Sequence, residues 1–141
     1  MKDIVNAKIK FREPYRPFAP SVLAEDAEKY FELNGAPRHY PARYMLYVVP
    51  VRKAQQQHLP SITHVDGTGR LQTVFREQNP RYYRLIDRFG EATGIPVVLN
   101  TSFNLKGEPI VNTPADAFAT FSRSEMDSLV LENFLVDKFA D

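Results

Sequence analysis

Two cations separated by one residue stand near the start of the chain, at Lys10 and Arg12, with Phe11 between them. On an extended segment, residues two apart point to the same side, so both cations could face one bound anion while Phe11 faces the core. Such a pair suits the polyphosphate of a nucleotide. The alternative is a solvated basic surface, because other Lys and Arg side chains lie in residues 2–16.

A polar turn, residues 100–104, follows the apolar run of residues 95–99. Its hydroxyls and amides, among them Thr101, Ser102 and Asn104, can donate to phosphate or carbonyl oxygens without adding charge. Ligands often gather at the end of a buried strand. The alternative is a turn whose side chains satisfy only their own backbone.

A glycine-containing segment, residues 63–70, ends at Arg70. Its backbone N–H groups could approach an anion, and the Arg70 guanidinium could bind that anion with two hydrogen bonds. A plain hairpin with an exposed arginine accounts for the same residues equally well.

Composition and missing motifs exclude several functions. The 141 residues contain no Cys, so thiolate catalysis, thiolate metal sites and disulfides are excluded, and a cytoplasmic location fits. No phosphate-binding P-loop, dinucleotide-binding glycine motif, zinc-protease helix or hydrolase nucleophile motif occurs. With a net charge of +1, the chain has no strong positive field that would attract nucleic acid. No apolar run has the length of a membrane span.

The first half of the chain predicts strands and one helix around these segments. We expect a strand at 18–23, a helix at 24–33, and a buried strand at 44–51 with Pro50 near its end or on an edge. Residues 62–65 and 71–74 are expected to pair as a hairpin.

The second half predicts two capped helices. One begins at Asn79 and ends at Gly94, and the other begins at Thr113 with a capping-box pattern. Residues 95–99 are expected to form an interior strand, and a strand from 129 toward 136 to close the sheet. The fold class is α/β (α+β), a single domain over residues 1–141 with a twisted mixed parallel and antiparallel sheet covered by helices.

Taken together, four ordered blocks resemble one family. The blocks are Lys10 to Arg12 with residues 13–23, residues 44–52, residues 63–74, and residues 99–104 with 107–110. They resemble the C-terminal, YrdC-like domain of the NodU/CmcH-type O-carbamoyltransferases over essentially the whole chain.

The resemblance implies a nucleotide-binding domain that forms carbamoyl-adenylate from carbamoyl phosphate and ATP. Lys10, Arg12, Ser102 and Asn104 stand at the family's KxR and SxN positions. It implies that Lys10 and Arg12 bind phosphates, that Arg70 binds phosphate or carbamoyl oxygen, and that Ser102 and Asn104 position the reacting groups. Thr101, within the same turn, is expected to contact the nucleotide.

The resemblance also implies partners. Mg²⁺ is expected to arrive with ATP, and a small-molecule hydroxyl acceptor to be carbamoylated by an ASKHA-type transferase domain, in cis or in trans. We expect that domain and its metal ion to lie outside residues 1–141. The alternative is a catalytically silent nucleotide-binding or docking module; double-stranded RNA binding is disfavoured by the near-neutral charge.

Overall fold

The computed structural model describes residues 1–139, which divide into two compact units. The sheet unit is the continuous segment Pro17–Thr101. The terminal unit joins Met1–Arg16 to the chain from Ser102 onward. The helices are α1 (Lys2–Val5), α2 (Ala27–Tyr30), α3 (Pro80–Thr93) and α4 (Pro114–Arg123), and a π-helix, Asn6–Lys10, continues α1.

A four-stranded sheet forms the centre of the sheet unit. Its strands are β1 (Ala19–Leu23), β2 (Tyr47–Pro50), β3 (Thr68–Val74) and β4 (Val97–Asn100), in the spatial order β2-β3-β1-β4. β1 runs parallel to β3 and antiparallel to β4, while β2 and β3 are antiparallel. The predicted α+β class with a mixed sheet is confirmed.

The helix α3 covers one face of this sheet, as its local signals predict. The Asn79 side chain accepts a hydrogen bond from the Tyr82 N–H, Pro80 opens the first turn, and Gly94 ends the helix with a left-handed φ of 80°. Ile86 on α3 packs with Leu23 of β1 in one hydrophobic cluster.

The predicted helix at 24–33 is wrong except for the single turn α2. Phe31 leaves the helix with extended backbone and forms a bridge with Val51. The Glu32 N–H donates to the Pro50 carbonyl. Complete burial of Phe31 in this long-range contact overrides the helical spacing of the segment.

The predicted strand at 44–51 is shorter than expected. Residues Tyr40–Tyr44 form a 3₁₀-helix that ends at Met45 in the left-handed region, and β2 begins only at Tyr47. Pro50 is the last residue of β2, which is an edge strand, as predicted.

Two other strand predictions are wrong. Residues 62–65 form no strand, because the Ile62 and Thr63 N–H groups donate to the Leu59 carbonyl; β3 pairs instead with β2 and β1. Residues 95–99 give an edge strand, Val97–Asn100, rather than an interior one, because β4 pairs with β1 alone.

The terminal unit holds α4 and a small hairpin. The capping box of α4 forms as predicted, with Thr113 and Asp116 exchanging hydrogen bonds. The strands β5 (Ser128–Leu131) and β6 (Phe134–Asp137) form a separate two-stranded antiparallel sheet, so the prediction that this segment closes the main sheet is wrong. The hairpin finds its apolar partners on α4, where Phe121 packs with Leu129.

Candidate functional site

The Lys10 ammonium is the centre of a polar cluster in the terminal unit. Lys10 is 7% exposed. Its Nζ donates to Ser102 O at 2.5 Å and to Asn104 O at 3.0 Å. The same Nζ lies 2.9 Å from Asn104 Oδ1 and 3.3 Å from Ser102 Oγ. The structure thus brings together three of the residues that the sequence singled out.

The backbone reaches this position in a different way from the predicted one. Lys10 is the last residue of the π-helix, and Phe11 ends that helix with a left-handed φ of 47°. The expected extended segment is wrong, and Phe11 is 48% exposed rather than facing the core. In a helical segment, residues two apart do not share a face as they do on a strand, and here Lys10 is buried while Phe11 is exposed.

The turn carrying Ser102 and Asn104 is fixed by its own side chains. Ser102 Oγ donates to Asn104 Oδ1 at 2.6 Å, and Asn104 Nδ2 donates to Glu108 O at 2.8 Å. The side-chain nitrogen of Asn104 therefore donates to a backbone carbonyl close by in the chain, as the turn alternative predicted. The Oδ1 atom of the same amide instead accepts from Lys10 and Ser102, so the turn also builds the cluster.

Arg12 is held by a residue that the sequence gave no reason to notice. Its Nε donates to Asn6 Oδ1 at 2.7 Å, and its backbone N–H donates to Asn6 O. Asn6 is 1% exposed, and its Nδ2 donates to Arg16 O at 2.9 Å and more weakly to Pro14 O. Arg12 lies two residues past the π-helix, and the left-handed Phe11 turns the chain so that the Arg12 backbone and side chain both reach Asn6.

A cavity of about 290 Å³ opens beside this cluster, entirely within the terminal unit. Its lining includes Ser102, Asn104 and a set of cationic side chains, namely Lys10, Arg12, Arg16 and Lys106. Of the lining residues, Glu13 carries the opposing charge, and its carboxylate lies 3.9 Å from Arg16 Nη1. The excess of positive charge suits a polyanion such as a polyphosphate.

Burial and mutual repulsion act on the cations of this cavity. The pKa of Lys10 is lowered by burial first and by the neighbouring Arg12 charge second. Burial also lowers the pKa of Arg12, and the nearby Arg16 adds to that effect while Glu13 opposes it. An anion placed between these cations would relieve the repulsion.

The remaining predicted site residues, Arg70 and Thr101, lie in the sheet unit. Arg70 is an exposed residue of β3 opposite Val48 of β2. Thr101 is exposed and directly follows Asn100, whose Nδ2 donates to Gln72 Oε1 at 2.8 Å. The roles of Arg70 and Thr101 stay predictions.

Two amides of the turn before Arg70 are occupied by bonds within the turn. The Gly67 N–H donates to His64 O at 3.0 Å, and the Thr68 N–H donates to Asp66 Oδ1 at 3.0 Å. Hydrogen bonds from Thr68 lower the pKa of Asp66, so this turn presents a carboxylate. The hypothesis that the backbone of residues 63–70 binds an anion stays a prediction.

Within the part of the chain that the structure describes, no group of three or more His, Asp or Glu residues is placed to hold a metal ion. The helices of that part are also too short or too polar for any of them to cross a bilayer.

Comparisons with known proteins agree over most of the chain. The family model described as carbamoyltransferase C-terminus matches residues 1–138. Nodulation protein NolNO of Sinorhizobium fredii (strain NBRC 101917 / NGR234) is 50% identical over 137 residues, which are 97% of this chain and 20% of that protein. The nodulation protein NolO of Bradyrhizobium diazoefficiens is 52% identical over 97% of this chain and 25% of its own length.

A named transferase is also among the relatives. The 3'-hydroxymethylcephem-O-carbamoyltransferase of Amycolatopsis lactamdurans is 40% identical over 109 residues, 77% of this chain and 20% of that enzyme. The chain therefore spans about a fifth to a quarter of the length of these relatives. The family model and the relatives together show that the chain belongs to the carbamoyltransferase C-terminus family and matches the C-terminal domain of NodU/CmcH-type O-carbamoyltransferases.

Proposed function

We propose that this chain is the half of an O-carbamoyltransferase that forms carbamoyl-adenylate from carbamoyl phosphate and ATP. The observation that carries the proposal is the polar cluster of Lys10, Ser102 and Asn104 beside a cavity lined by four cations. A cavity of this charge fits phosphate groups. Both substrates of the proposed reaction, carbamoyl phosphate and ATP, carry them.

The proposed chemistry needs no side-chain nucleophile. Water cleaves carbamoyl phosphate to carbamate and phosphate. A carbamate oxygen then attacks the α-phosphorus of ATP, a new O–P bond forms, the bond to the bridging β-oxygen breaks, and pyrophosphate leaves. Negative charge develops on the phosphoryl oxygens during this step, so fixed cations and hydrogen-bond donors are the main requirement.

Roles in this scheme are proposed for two residues of the cavity, Arg12 and Lys10, and for two residues of the sheet unit, Arg70 and Thr101. Arg12 donates to phosphate oxygens, and its Nε bond to Asn6 fixes the direction of the guanidinium. Lys10 has three N–H donors and four oxygen atoms within hydrogen-bond distance, so it acts as a buried positive charge that positions Ser102 and Asn104. Arg70 and Thr101 are proposed to contact phosphate or carbamoyl oxygens and the nucleotide, respectively.

Mg²⁺ enters this scheme with the nucleotide. Bound mainly by phosphate oxygens and water, it would neutralise part of the polyphosphate charge. The subsequent transfer to a small-molecule hydroxyl is assigned to an ASKHA-type domain, in cis or in trans. The relatives leave room for such a domain, because this chain matches only about a fifth to a quarter of their length.

A catalytically silent docking module that still binds nucleotide is the second candidate. The burial of Lys10 among four oxygens favours it, because part of the cluster has a structural role. Pyrophosphate release separates the two candidates. The first requires release that depends on carbamoyl phosphate, and the second requires ATP binding without release.

The test uses two exposed lysines of the terminal unit. Lys106 lines the cavity, and Lys8 does not. We expect Lys106→Ala to weaken ATP binding by about 1 kcal/mol, roughly fivefold, as for an exposed charge contact. Lys8→Ala removes the same charge and should leave ATP affinity unchanged. We expect Arg12→Ala to cost about 1.5–3 kcal/mol, the range for charged hydrogen bonds.

Calorimetric titration with ATP measures these effects, and a coupled pyrophosphate assay follows the reaction. Equal loss in Lys106→Ala and Lys8→Ala would mean that only net charge matters, and the assignment of the cavity would fail. Absence of pyrophosphate release by a wild-type chain that binds ATP would favour the docking module.

A further inference from the structure

The longest stretch of the sequence without an acidic residue lies in the sheet unit. Residues 33–65 contain no Asp or Glu and four cations, namely Arg38, Arg43, Arg52 and Lys53. Within residues 1–139, none of these four cations forms an ion pair with a carboxylate. This part of the surface therefore carries positive charge that the fold itself does not neutralise.

The same stretch exposes a set of large apolar side chains, which we call the aromatic surface. It is formed by Tyr40, Tyr44, Leu46, Tyr47 and Val48, and Leu46 is 71% exposed. Tyr47 and Val48 belong to β2, an edge strand of the sheet. Exposed apolar residues that cluster in this way mark interaction sites, and Tyr and Arg are the residue types that contribute most to protein interfaces.

Ring contacts hold the side chains of this surface in place. The Arg43 guanidinium carbon lies 4.0 Å from the centre of the Phe75 ring and 5.5 Å from that of Tyr40. Its Nε is buried and, within the described chain, has no hydrogen-bond partner. The Tyr40 and Tyr44 rings lie 5.2 Å apart. Side chains fixed in advance lose less conformational entropy when a partner binds.

The hairpin of the terminal unit has the opposite charge. Residues 127–137, the acidic hairpin, contain Asp127, Glu132 and Asp137 and no Lys or Arg. Val130 of β5 and Leu135 of β6 are directly paired, and each is 67% exposed. They lie on the face of the hairpin opposite to Leu129, which packs against α4. The acidic hairpin therefore combines apolar contact area with negative charge.

We propose that the chain self-associates, with the acidic hairpin of one copy docked on the aromatic surface of a second copy. This proposal does not depend on the function proposed above. The two surfaces complement each other in charge, and both offer apolar side chains, which favours a protein partner over a polyanion. A net charge of +1 means that two copies repel each other only weakly.

The proposed contact joins unlike surfaces. The aromatic surface belongs to the sheet unit and the acidic hairpin to the terminal unit, so each copy has one surface of each kind. A contact between unlike surfaces is heterologous, whereas a contact between two identical surfaces is isologous. Variants that disable one surface at a time can distinguish these two cases.

Sedimentation equilibrium of the 141-residue chain is the first measurement. We expect self-association with an apparent Kd of about 10–100 µM, as for a small transient interface. The contact should weaken about tenfold when the salt concentration rises from about 0.05 to 0.5 M, because charges near the surface are screened. A wild-type chain that stays monomeric to about 500 µM at low salt would show that these surfaces take other occupants, and the proposal would be wrong.

Two variants change one exposed apolar side chain each. Leu46→Asn alters the aromatic surface and Leu135→Asn alters the acidic hairpin, and each should weaken self-association at least about tenfold. Leu85→Asn is the matched control, because Leu85 is an exposed residue of α3 outside both surfaces. It should leave the apparent Kd within about twofold of wild type. Equal weakening by all three variants would contradict the proposal.

A mixture of the two variants gives the decisive result. The Leu46→Asn chain keeps an intact acidic hairpin, and the Leu135→Asn chain keeps an intact aromatic surface. An equimolar mixture should therefore form a complex of one copy of each, with an affinity within about threefold of the wild-type contact. A mixture that associates no better than either variant alone would mean that copies do not meet through these two surfaces, and the proposal would fail.

Discussion

The Lys10 ammonium is buried, and no ion pair joins it to a carboxylate of residues 1–139. Its hydrogen-bond partners are two backbone carbonyls, one amide oxygen and one hydroxyl. Dipoles of this kind compensate only part of the cost of removing a charge from water, which agrees with the lowered pKa. Lys10 therefore contributes positive potential to the cavity at some expense of stability.

Replacing Lys10 should change stability as well as binding. Lys10→Met keeps the apolar stem but leaves the buried oxygens without their donor, so we expect a loss of about 1–3 kcal/mol at pH 7. The unfolded chain keeps the Lys10 proton up to pH 10.5, and the folded chain releases it at lower pH. Between those two values protonation favours unfolding, so wild-type stability should rise relative to Lys10→Met as the pH increases.

Urea unfolding of both proteins from pH 7 to pH 10.5 measures this difference, and other titrating groups cancel in the comparison. A stability difference that stays flat or shrinks over that window would show that burial does not lower the Lys10 pKa.

Asn6 offers a sharper probe of Arg12 than Arg12 itself. Asn6→Asp keeps an acceptor for the Arg12 Nε but places a negative charge beside the guanidinium and removes the donor to Arg16 O. We expect ATP affinity to fall by about 1–2 kcal/mol, because the new carboxylate competes with phosphate for the same cation. Titration with ATP checks this, and unchanged affinity in a folded Asn6→Asp protein would remove Arg12 from the binding site.

Ser102 is expected to act on the reaction more than on binding. Ser102→Ala removes a neutral donor and should reduce the rate of pyrophosphate release about tenfold with little change in ATP affinity. Steady-state rates and calorimetry separate the two quantities. A covalent carbamoyl or adenylyl adduct on Ser102 in the mass spectrum would contradict the mechanism.

At the scale of elements, the sequence predicted the structures whose signals are local. The helix α3 follows from Asn79, Pro80 and Gly94, and α4 from the exchange between Thr113 and Asp116. Predictions failed where a distant segment decides the structure. The helix expected at 24–33 does not include Phe31, because Phe31 forms a β-bridge with Val51. The strand β3 pairs with β1 and β2 and not with residues 62–65.

The capping box of α4 gives a prediction at this scale. Thr113→Ala removes the acceptor for the Asp116 N–H and should cost about 0.5–2 kcal/mol. Hydrogen bonds from Thr113 and Asn112 lower the pKa of Asp116 below 3.8. The stabilisation that the ionised Asp116 carboxylate gives to the folded protein is therefore fully present above pH 3.8. It is lost as the pH falls through the lower pKa that Asp116 has in the folded protein.

Unfolding of wild type and Asp116→Asn at pH 6 and near pH 3 tests the pH dependence. The stability difference between them should shrink in acid. A difference that does not change with pH would mean that the Asp116 carboxylate does not stabilise the cap.

At the scale of the whole molecule, the predicted site residues come from distant parts of the sequence. Lys10 and Ser102 are 92 residues apart, and only the family resemblance linked them in advance. Sequence reasoning missed Asn6 and Glu108, because their contributions depend on a π-helix and on the course of one loop. Local patterns carry no information about either feature.

The division of labour proposed for this family predicts an incomplete activity for the chain. Supplied with carbamoyl phosphate, ATP, Mg²⁺ and a hydroxyl acceptor, residues 1–141 should release pyrophosphate but form no carbamoylated product. Water reaching the adenylate would hydrolyse it. Separate measurement of pyrophosphate and product is the test, and efficient product formation by this chain alone would contradict the assignment of transfer to another domain.

The construction of the terminal unit from both ends of the described chain has a consequence for biosynthesis. On the ribosome, Lys10 is made long before Ser102, and at about 5–20 residues per second the intervening chain takes roughly 5–20 s to appear. The sheet unit is continuous in sequence and can begin to fold during that interval. Met1–Arg16 must meanwhile remain without the turn that accepts the Lys10 ammonium, so the nascent segment carries an exposed stretch of cations and apolar side chains that a chaperone could bind.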